Sequence, residues 1–223
     1  MKITLSRVFN QTPQIVTYSF IPERPLRYIA GQFVELTLHH NDPDSRGIRR
    51  WFTLSSSPTE KYLSITTKHD ASAQSSYKKN LQLLKIGDSV ECSEAMGDFV
   101  LPKAEDIPLL LIAGGIGITP YRSMIKWLVD SGQSRIIQVV YSAHLSSDLL
   151  FKDILNQPFI QFIPYTAKEK LTAESISELC GGIENKQIYI AGPEPMAESL
   201  SKDFKQMGTK RHQIVTDYFP GYK

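Results

Sequence analysis

The chain has 223 residues, of which 41% are apolar and 22% charged, with a formal net charge of +2 and two cysteines. This length suits one large domain or two small ones, and so small a charge, carried by scattered basic residues, does not indicate a nucleic-acid-binding or polybasic membrane-binding protein. Cys92 and Cys180 are too few for an iron–sulfur cluster or a zinc site of their own, and we expect both to be buried as small hydrophobic residues. Because the N-terminus lacks an apolar signal core and residues 107–118 form the longest apolar stretch, too short for a bilayer span, we expect a cytoplasmic protein.

The first hundred residues contain short segments rich in β-branched and aromatic residues, separated by clusters of Pro, Gly, Asn and Asp. One helix is predicted among them, over residues 74–84. Short strands at such close spacing predict an antiparallel barrel or sandwich. The predicted strands are residues 2–9, 15–20, 32–38, 50–55, 63–68 and 89–92.

The second half alternates between strand and helix patterns, after a polar, proline-bracketed linker at residues 101–108. Such alternation predicts a doubly wound parallel sheet, with its ligand crevice at the carboxyl ends of the strands. We therefore divide the chain into residues 1–104 and residues 105–223. The predicted strands are residues 107–113, 135–142, 159–165, 187–191 and 212–219, and the predicted helices are residues 120–131, 147–156, 172–179 and 194–207.

A glycine-rich turn follows the first of these parallel strands. Gly114, Gly115 and Gly117 precede Thr119, Pro120 and a helical pattern. A strand, a glycine-rich turn and a helix start allow backbone amides to approach a phosphate at the positive end of the helix, because glycine has no Cβ to hold an anion away. The spacing differs from G-x-G-x-x-G, so a tight turn without a ligand remains the alternative.

The strand over residues 50–55 carries side chains suited to a flat, phosphorylated cofactor. Arg50, Phe52 and Leu54 alternate onto one face, and Trp51 and Thr53 onto the other. A guanidinium can clamp a pyrophosphate, and an aromatic ring can stack on a heterocycle. The alternative is an amphipathic barrel strand with a surface arginine.

Two later segments are further candidates for a cofactor-binding site. Residues 191–196, Ala-Gly-Pro-Glu-Pro-Met, end the fourth parallel strand and are expected near the same crevice edge. Residues 217–222, Asp-Tyr-Phe-Pro-Gly-Tyr, form an aromatic end too apolar to stand free in water. The alternative for this aromatic segment is a staple over a core seam.

Four motifs in order resemble those of the ferredoxin–NADP reductase-like flavin oxidoreductases. They are Arg-x-Phe-Thr at 50–53 with serines after it, Gly-Asp at 87–88, Gly-Gly-x-Gly-x-Thr-Pro at 114–120, and Gly-Pro-x-x-Met at 192–196. The resemblance covers the chain from Tyr28 to Phe219. It implies an N-terminal six-stranded antiparallel barrel that binds FAD, followed by a doubly wound five-stranded parallel sheet that binds NADH or NADPH.

The resemblance also implies roles for individual residues. Arg50 would contact the flavin diphosphate, Phe52 would stack on the isoalloxazine, and Thr53 would place its hydroxyl near flavin N5. Phe219 would cover the flavin with Asp217 as the nearby acidic residue, so that Thr53, Asp217 and Phe219 form the implied catalytic set. The further implied FAD contacts are Ser56, Thr66, Thr67, Lys68, Ser75 and Ser76, and the implied nucleotide contacts are Gly114, Gly115, Gly117, Thr119, Pro120, Gly192, Pro193 and Met196.

Two features of the nucleotide-binding half concern the coenzyme. Ala191 stands where the family often has cysteine, from which we expect altered packing of the nicotinamide without loss of an essential acid or base. Ser142 and His144 are suited to binding a 2′-phosphate, but residues 141–148 contain no arginine, which favours NADH.

The predicted function is that of an NAD(P)H-dependent flavoprotein oxidoreductase. It would pass a hydride from NAD(P)H to FAD and then electrons to a separate acceptor, which can be a ferredoxin- or flavodoxin-like protein, an oxygenase component or a small oxidant. One alternative is a flavin or ferric reductase of the same fold that uses FMN or diffusible flavin. Another is an electron-transfer subunit or redox-sensing module of a larger complex. The histidines show no metal-ligand spacing, and no metal site is predicted.

Overall fold

A computed structural model describes residues 1–69, 74–166 and 170–218. Phe219, which the sequence predicts to cover a flavin, lies outside the described residues, as does the rest of the aromatic end. No helix within the described ranges is both long and apolar enough to cross a membrane.

Six strands of the N-terminal half form one antiparallel sheet in the order β4-β3-β6-β1-β2-β5. An additional bridge between Leu54 and Ile65 joins the two edges, β4 and β5, so the sheet closes into a barrel. The predicted antiparallel barrel is therefore confirmed. The strands are β1 (Lys2–Asn10), β2 (Ile15–Pro22), β3 (Phe33–Thr37), β4 (Arg49–Thr53), β5 (Leu63–Lys68) and β6 (Ser89–Cys92).

Side chains alternate between the barrel interior and solvent. In β6, Val90 and Cys92 are buried while the residues between and before them are exposed. Helix α1 (Ser76–Leu83) follows β5 and buries Tyr77 and Leu81 in the same core. The interior of the barrel thus holds one continuous apolar cluster that supports both β4 and α1.

The second half forms a parallel sheet in the order β11-β10-β7-β8-β9. All six residues of the central strand β7 are buried, as its unbroken apolar run predicts. Leu109, Leu111 and Ala113 join one core cluster, whereas Leu110 and Ile112 join another on the opposite face. The strands are β7 (Leu109–Gly114), β8 (Ile137–Ser142), β9 (Ile160–Tyr165), β10 (Gln187–Ala191) and β11 (Ile214–Asp217).

Helices cover both faces of this parallel sheet. Buried residues of α2 (Thr119–Asp130) and α3 (Lys152–Leu155) pack into the cluster of Leu109 and its neighbours. Those of α4 (Ala173–Leu179) and α5 (Glu194–Gln206) pack into the opposite cluster. The predicted doubly wound arrangement is confirmed.

Two predicted elements differ from the structure. The helix predicted over residues 147–156 is broken into a 3₁₀ turn at Ser146–Asp148 and the short α3, because Leu149 is buried in extended backbone, Leu150 is buried beside it and Phe151 has a left-handed φ of 56°. Leu150 is fixed there by its amide, which donates to the Tyr141 hydroxyl. The last strand, predicted from residue 212, begins at Ile214 after a 3₁₀ turn at Arg211–Gln213.

Candidate functional site

The glycine-rich turn joins β7 to α2 as a single 3₁₀ turn at Gly115–Ile118. A Cβ on Gly117 would lie 2.2 Å from the carbonyl oxygen of Ala191 and 2.6 Å from the amide nitrogen of Gly192. Glycine is required at position 117 because the turn packs directly on the end of β10. The Thr119 hydroxyl donates to the Ile116 carbonyl at 3.1 Å, which closes the turn at the start of α2, and Pro120 follows in the first turn of this helix.

The segment after β10 lies against this turn. Ala191 is in parallel register with Ala113, so the ends of β10 and β7 are neighbours. A Cβ on Gly114 would lie 2.6 Å from the Met196 sulfur, and a Cβ on Gly192 would lie 2.7 Å from the Met196 methyl group. The Met196 side chain therefore covers two glycines, and Pro193 also approaches Gly114. The two predicted nucleotide-binding segments are in direct contact.

Two further predicted residues end neighbouring strands at the same edge. Ser142 ends β8 and pairs with Gly114, and its side chain is half-buried. Asp217 ends β11 and pairs with Ala191. Burial, and secondarily the nearby carboxylate of Asp98, raise the pKa of Asp217 to about 6. The edge thus carries a carboxyl group that changes charge close to neutral pH.

In the barrel, β4 turns Arg50 and Phe52 inwards. Arg50 is only 5% exposed, so the alternative of a surface arginine is wrong. Its guanidinium donates to the carbonyl oxygens of Arg46 at 2.7 Å and of Arg49 at 2.5 Å. Both Arg50 and Phe52 approach Tyr77 of α1, at 5.1 Å from guanidinium carbon to ring centre and at 6.0 Å between ring centres.

The start of α1, predicted to contact a diphosphate, binds an internal carboxylate. Ser75 caps the helix by accepting the Lys78 amide, while the Ser76 amide donates to Asp44 Oδ2 at 2.8 Å. Arg46 also donates to this oxygen at 2.8 Å. These donors hold the pKa of Asp44 well below its usual range, with Arg46 the larger cause. The start of α1 is therefore suited to an anion, and in this structure the Asp44 carboxylate is the anion bound there.

The other predicted FAD residues lie on β4 and β5. Thr53 is buried and pairs with Phe33 across the strands. The Thr66 hydroxyl bonds the Thr17 hydroxyl at 2.8 Å and donates to Ser55 Oγ at 3.0 Å, so it is part of a buried network on the outer face of the barrel. Thr67, next to it, is buried, and Lys68 is exposed at the end of β5.

The segment after β4 contacts α2, and this contact involves residues that the sequence analysis missed. Ser123 donates its hydroxyl to the Ser56 carbonyl at 2.5 Å. Arg122 donates to the Ser55 carbonyl at 3.0 Å and forms a two-point ion pair with Glu60. Arg122 and Ser123 come just after the Thr-Pro of the glycine-rich motif, but no sequence pattern identifies the partner of either.

The cysteines and histidines behave as structural residues. Cys92 and Cys180 are buried and unpaired with one another, as expected, and burial raises the pKa of Cys92 to about 11. His69 is buried against the Tyr18 hydroxyl, 3.0 Å from Nε2, and burial lowers its pKa to about 4. Among the described residues, no group of three or more His, Cys, Asp or Glu side chains is arranged to hold a metal ion.

Residues 111–158 match the family model of the oxidoreductase NAD-binding domain. Over most of its length the chain is similar to curated proteins. It is 26% identical to the glycine betaine monooxygenase reductase subunit of Chromohalobacter salexigens, over 91% of this chain and 59% of that protein. It is 27% identical to the NADH oxidoreductase HCR of Escherichia coli, over 94% of this chain and 66% of that protein.

Solved structures share the whole fold. The ferredoxin–NADP⁺ reductase of Plasmodium falciparum with 2′P-AMP aligns with a TM-score of 0.83 at 20% identity, over 98% of this chain and 95% of that one. The ferredoxin–NADP⁺ reductase of Neisseria gonorrhoeae with bound FAD and NADP aligns with a TM-score of 0.80 at 20% identity, over 97% of each chain.

This chain spans about three fifths of the length of several curated relatives, as the 59% coverage of flavohemoprotein B of Dictyostelium discoideum also illustrates. The alignments with the two solved reductases, in contrast, cover at least 95% of each chain. The chain therefore has the fold of the ferredoxin–NADP reductases and is similar in sequence to reductase proteins over most of its length, in agreement with the resemblance of its motifs.

Proposed function

We propose that this chain is the FAD- and NAD(P)H-binding part of a flavoprotein oxidoreductase that passes electrons from NAD(P)H to a separate acceptor. Residues 1–104 would bind FAD and residues 105–223 the nicotinamide coenzyme. One observation carries the proposal: the helix after the glycine-rich turn is hydrogen-bonded to the segment that follows the Arg-x-Phe-Thr strand. The segments predicted to bind the two cofactors are therefore held together across the two sheets.

The residues of the barrel fit an FAD diphosphate. The buried guanidinium of Arg50 and the start of α1 provide positive charge, and the Ser76 amide already binds a carboxylate, that of Asp44. Ser75 and Ser76 add hydroxyl groups at the same helix end. Phe52, beside Arg50 on β4, packs in the barrel core, so stacking on a flavin would require its ring to be uncovered, whereas Thr53 supplies a hydroxyl on the opposite face of the strand.

The edge of the parallel sheet fits the coenzyme. Gly115 has a φ of 52°, and a Cβ there would have no atom within 4 Å, so the backbone is open to a ligand at that point. The ends of β7 and β10 are held together by the close contacts of Gly114, Gly117, Gly192 and the Met196 side chain. A flat ring bound there would lie against both strand ends. Held by these residues, the nicotinamide coenzyme would supply a hydride, and FAD would supply two-electron acceptance and onward delivery of electrons to the acceptor, with release of the proton.

The chain's own contribution to this reaction is alignment and proton exchange. Thr53 offers a hydrogen bond from the outer face of β4, and Asp217, with its pKa raised to about 6, can exchange a proton near neutral pH. Asp217 lies next to Ala191 at the nucleotide edge. Phe219, which follows closely in the chain, is proposed to cover the flavin.

The preferred coenzyme and the class of electron acceptor are two further assignments within this proposal. We assign NADH as the preferred coenzyme because residues 141–148 offer Ser142 and His144 but no arginine for a 2′-phosphate, and one relative is named an NADH oxidoreductase. We assign an oxygenase component or a ferredoxin-like protein as the acceptor class, because another relative is named a monooxygenase reductase subunit.

Flavin binding tests the proposal at its first step. The purified chain is titrated with FAD and with FMN, and the dissociation constants are measured by quenching of flavin fluorescence. We expect FAD to bind, and Arg50→Lys to weaken it at least tenfold because lysine keeps the charge but loses the two-point contact. Arg7→Lys is the control, since Arg7 is an exposed barrel arginine bonded to Tyr62. Failure to bind either flavin would refute the proposal, and selective binding of FMN would refute the FAD assignment.

A further inference from the structure

A polar seam connects α2 with the segment from Ser55 to Glu60. On one side it contains Arg122, Ser123 and Asp130, and on the other Ser55, Ser56, Thr59 and Glu60. Ser123 donates to the Ser56 carbonyl, and the Thr59 hydroxyl donates to Asp130. These contacts join the barrel to the parallel sheet over nearly the whole length of α2.

Arg122 makes the most contacts in this seam. One of its nitrogens donates to the Ser55 carbonyl at 3.0 Å and to Glu60 Oε2, and another donates to Glu60 Oε1 at 2.9 Å. The guanidinium carbon also lies 5.9 Å from the ring centre of Phe151. Side-chain exposure is 21% for Arg122 and 26% for Glu60, so most of the pair is shielded from water. A two-point arginine–carboxylate pair fixes direction as well as distance.

Glu60 is itself held in place from the barrel side. The Ser57 amide donates to Glu60 Oε2 at 2.7 Å. Ser56, beside it, accepts the Tyr28 hydroxyl through its carbonyl at 3.1 Å and bonds it through Oγ at 3.0 Å. Arg122 therefore contacts a segment that is itself hydrogen-bonded to the barrel.

The ends of this connection are adjacent to the two cofactor-binding segments. Ser55 follows Thr53 by two residues, and Arg122 follows Pro120 by two residues. Because β4 and α2 are regular elements, a change at the Arg122–Glu60 pair alters the position of the glycine-rich turn relative to Phe52 and Thr53. Transfer between two bound rings is highly sensitive to such a change, since a misplacement of about 1 Å can cost about 100-fold in rate.

We propose that Arg122 is a positioning residue for hydride transfer, which sets the separation between the flavin-binding strand and the nicotinamide-binding turn through Glu60 and Ser55. The inference rests on the proposed function. It assigns to Arg122 no contact with either cofactor. Its loss is therefore expected to lower the rate of transfer far more than the affinity for either one.

The test uses the full chain loaded with FAD and mixed anaerobically with NADH in a stopped-flow spectrometer. We expect Arg122→Gln to lower the limiting rate of flavin bleaching at least tenfold, while the dissociation constants of FAD and NADH change less than threefold. The long-wavelength absorbance produced by stacked nicotinamide and flavin rings should weaken in the same variant. Arg122→Lys should recover only part of the rate, because it cannot reach Ser55 and both Glu60 oxygens as a planar fork.

Two further variants separate positioning from general stabilisation. Lys126→Gln removes a cation one turn later on α2 that forms an ion pair with Asp130 of the same helix, and it should retain the rate within twofold. Glu60→Gln combined with Arg122→Gln should cost no more than Arg122→Gln alone, because the two residues act as one unit.

The inference is overturned if Arg122→Gln binds FAD and keeps the wild-type bleaching rate and long-wavelength band. It is also overturned if the variant loses FAD, because Arg122 would then be needed for flavin retention, or if Lys126→Gln slows the reaction equally. Absence of bleaching in the wild-type chain with both NADH and NADPH would be a different result, a failure of the proposed function itself.

Discussion

Replacement of Gly117 by alanine is expected to separate the two nucleotide-binding segments. The new methyl group would lie 2.2 Å from the Ala191 carbonyl oxygen, 2.4 Å from its carbon and 2.6 Å from the Gly192 nitrogen. All three atoms belong to the backbone, so no side chain can rotate to make room. Relief requires the turn to move by about 1 Å to restore ordinary van der Waals separation.

The magnitude follows from the cost of inserting one methyl group into a packed region. Overpacking of this kind costs about 1–3 kcal/mol of unfolding free energy. In a chain of this size, each kcal/mol lowers the melting temperature by about 2–4 °C, so a loss of about 2 kcal/mol corresponds to about 4–8 °C. We also expect NADH affinity to fall at least tenfold, because Gly114 and Gly192 would no longer meet beneath Met196.

Thermal unfolding followed by circular dichroism and calorimetric titration with NADH measure the two effects. Gly132→Asn is the control, because Gly132 follows α2, has a φ of 68°, and offers open space to a side chain that tolerates this conformation. The control should retain both stability and binding. A Gly117→Ala variant that melts within about 1 °C of the wild type and binds NADH normally would show that the turn does not need glycine at this position.

Three other predictions concern charge and burial. Asp44→Asn should bind FAD several times more tightly than the wild type in a fluorescence titration. The reason is that the substitution removes the carboxylate that competes for the Ser76 amide. Weaker binding would show instead that Asp44 supports the FAD site. The pKa of Asp217 is raised to about 6 in the folded chain, so the folded state favours the protonated carboxyl group. The stability that protonated Asp217 contributes is therefore lost as the pH rises from about 4 through 6. Urea unfolding should therefore show that Asp217→Asn becomes increasingly more stable than the wild type over this range, whereas a constant difference between the two curves would contradict the assignment. Cys92 and Cys180 should not react with a thiol reagent at pH 8 until the chain is unfolded, since both are buried and the pKa of each is raised; rapid reaction of the native protein would show that one of them is accessible.

Much of the fold could be predicted because local pattern and tertiary environment agree. The apolar run of β7 predicts burial on both faces, and Leu109 and Leu110 indeed point into different clusters. The alternation in β4 predicts that Arg50 and Phe52 share a face, and both are buried. The glycines predict a tight turn before α2, because only a residue without a Cβ allows the approach seen at Gly117.

The parts that could not be predicted depend on contacts distant in the sequence. Residues 147–156 have a helical pattern, but Leu149 is buried in extended backbone, Leu150 is buried beside it, and Phe151 is left-handed. Arg122 and Glu60 are separated by 62 positions, and nothing local to either indicates the other. The contact between Asp44 and the start of α1 could not be predicted either. In sequence, the segment around Asp44 is an ordinary polar turn, and nothing in it indicates that its carboxylate accepts the Ser76 amide.

We propose that a flavin and a nicotinamide coenzyme meet between the ends of β4 and β7. An anaerobic visible spectrum of the FAD-loaded chain, taken before and after addition of NADH and separately of NADPH, tests it most directly. We predict a flavin spectrum that bleaches with NADH and more slowly with NADPH. A chain that remains colourless after incubation with FAD and FMN, or a bound flavin that neither coenzyme bleaches, would contradict the claim.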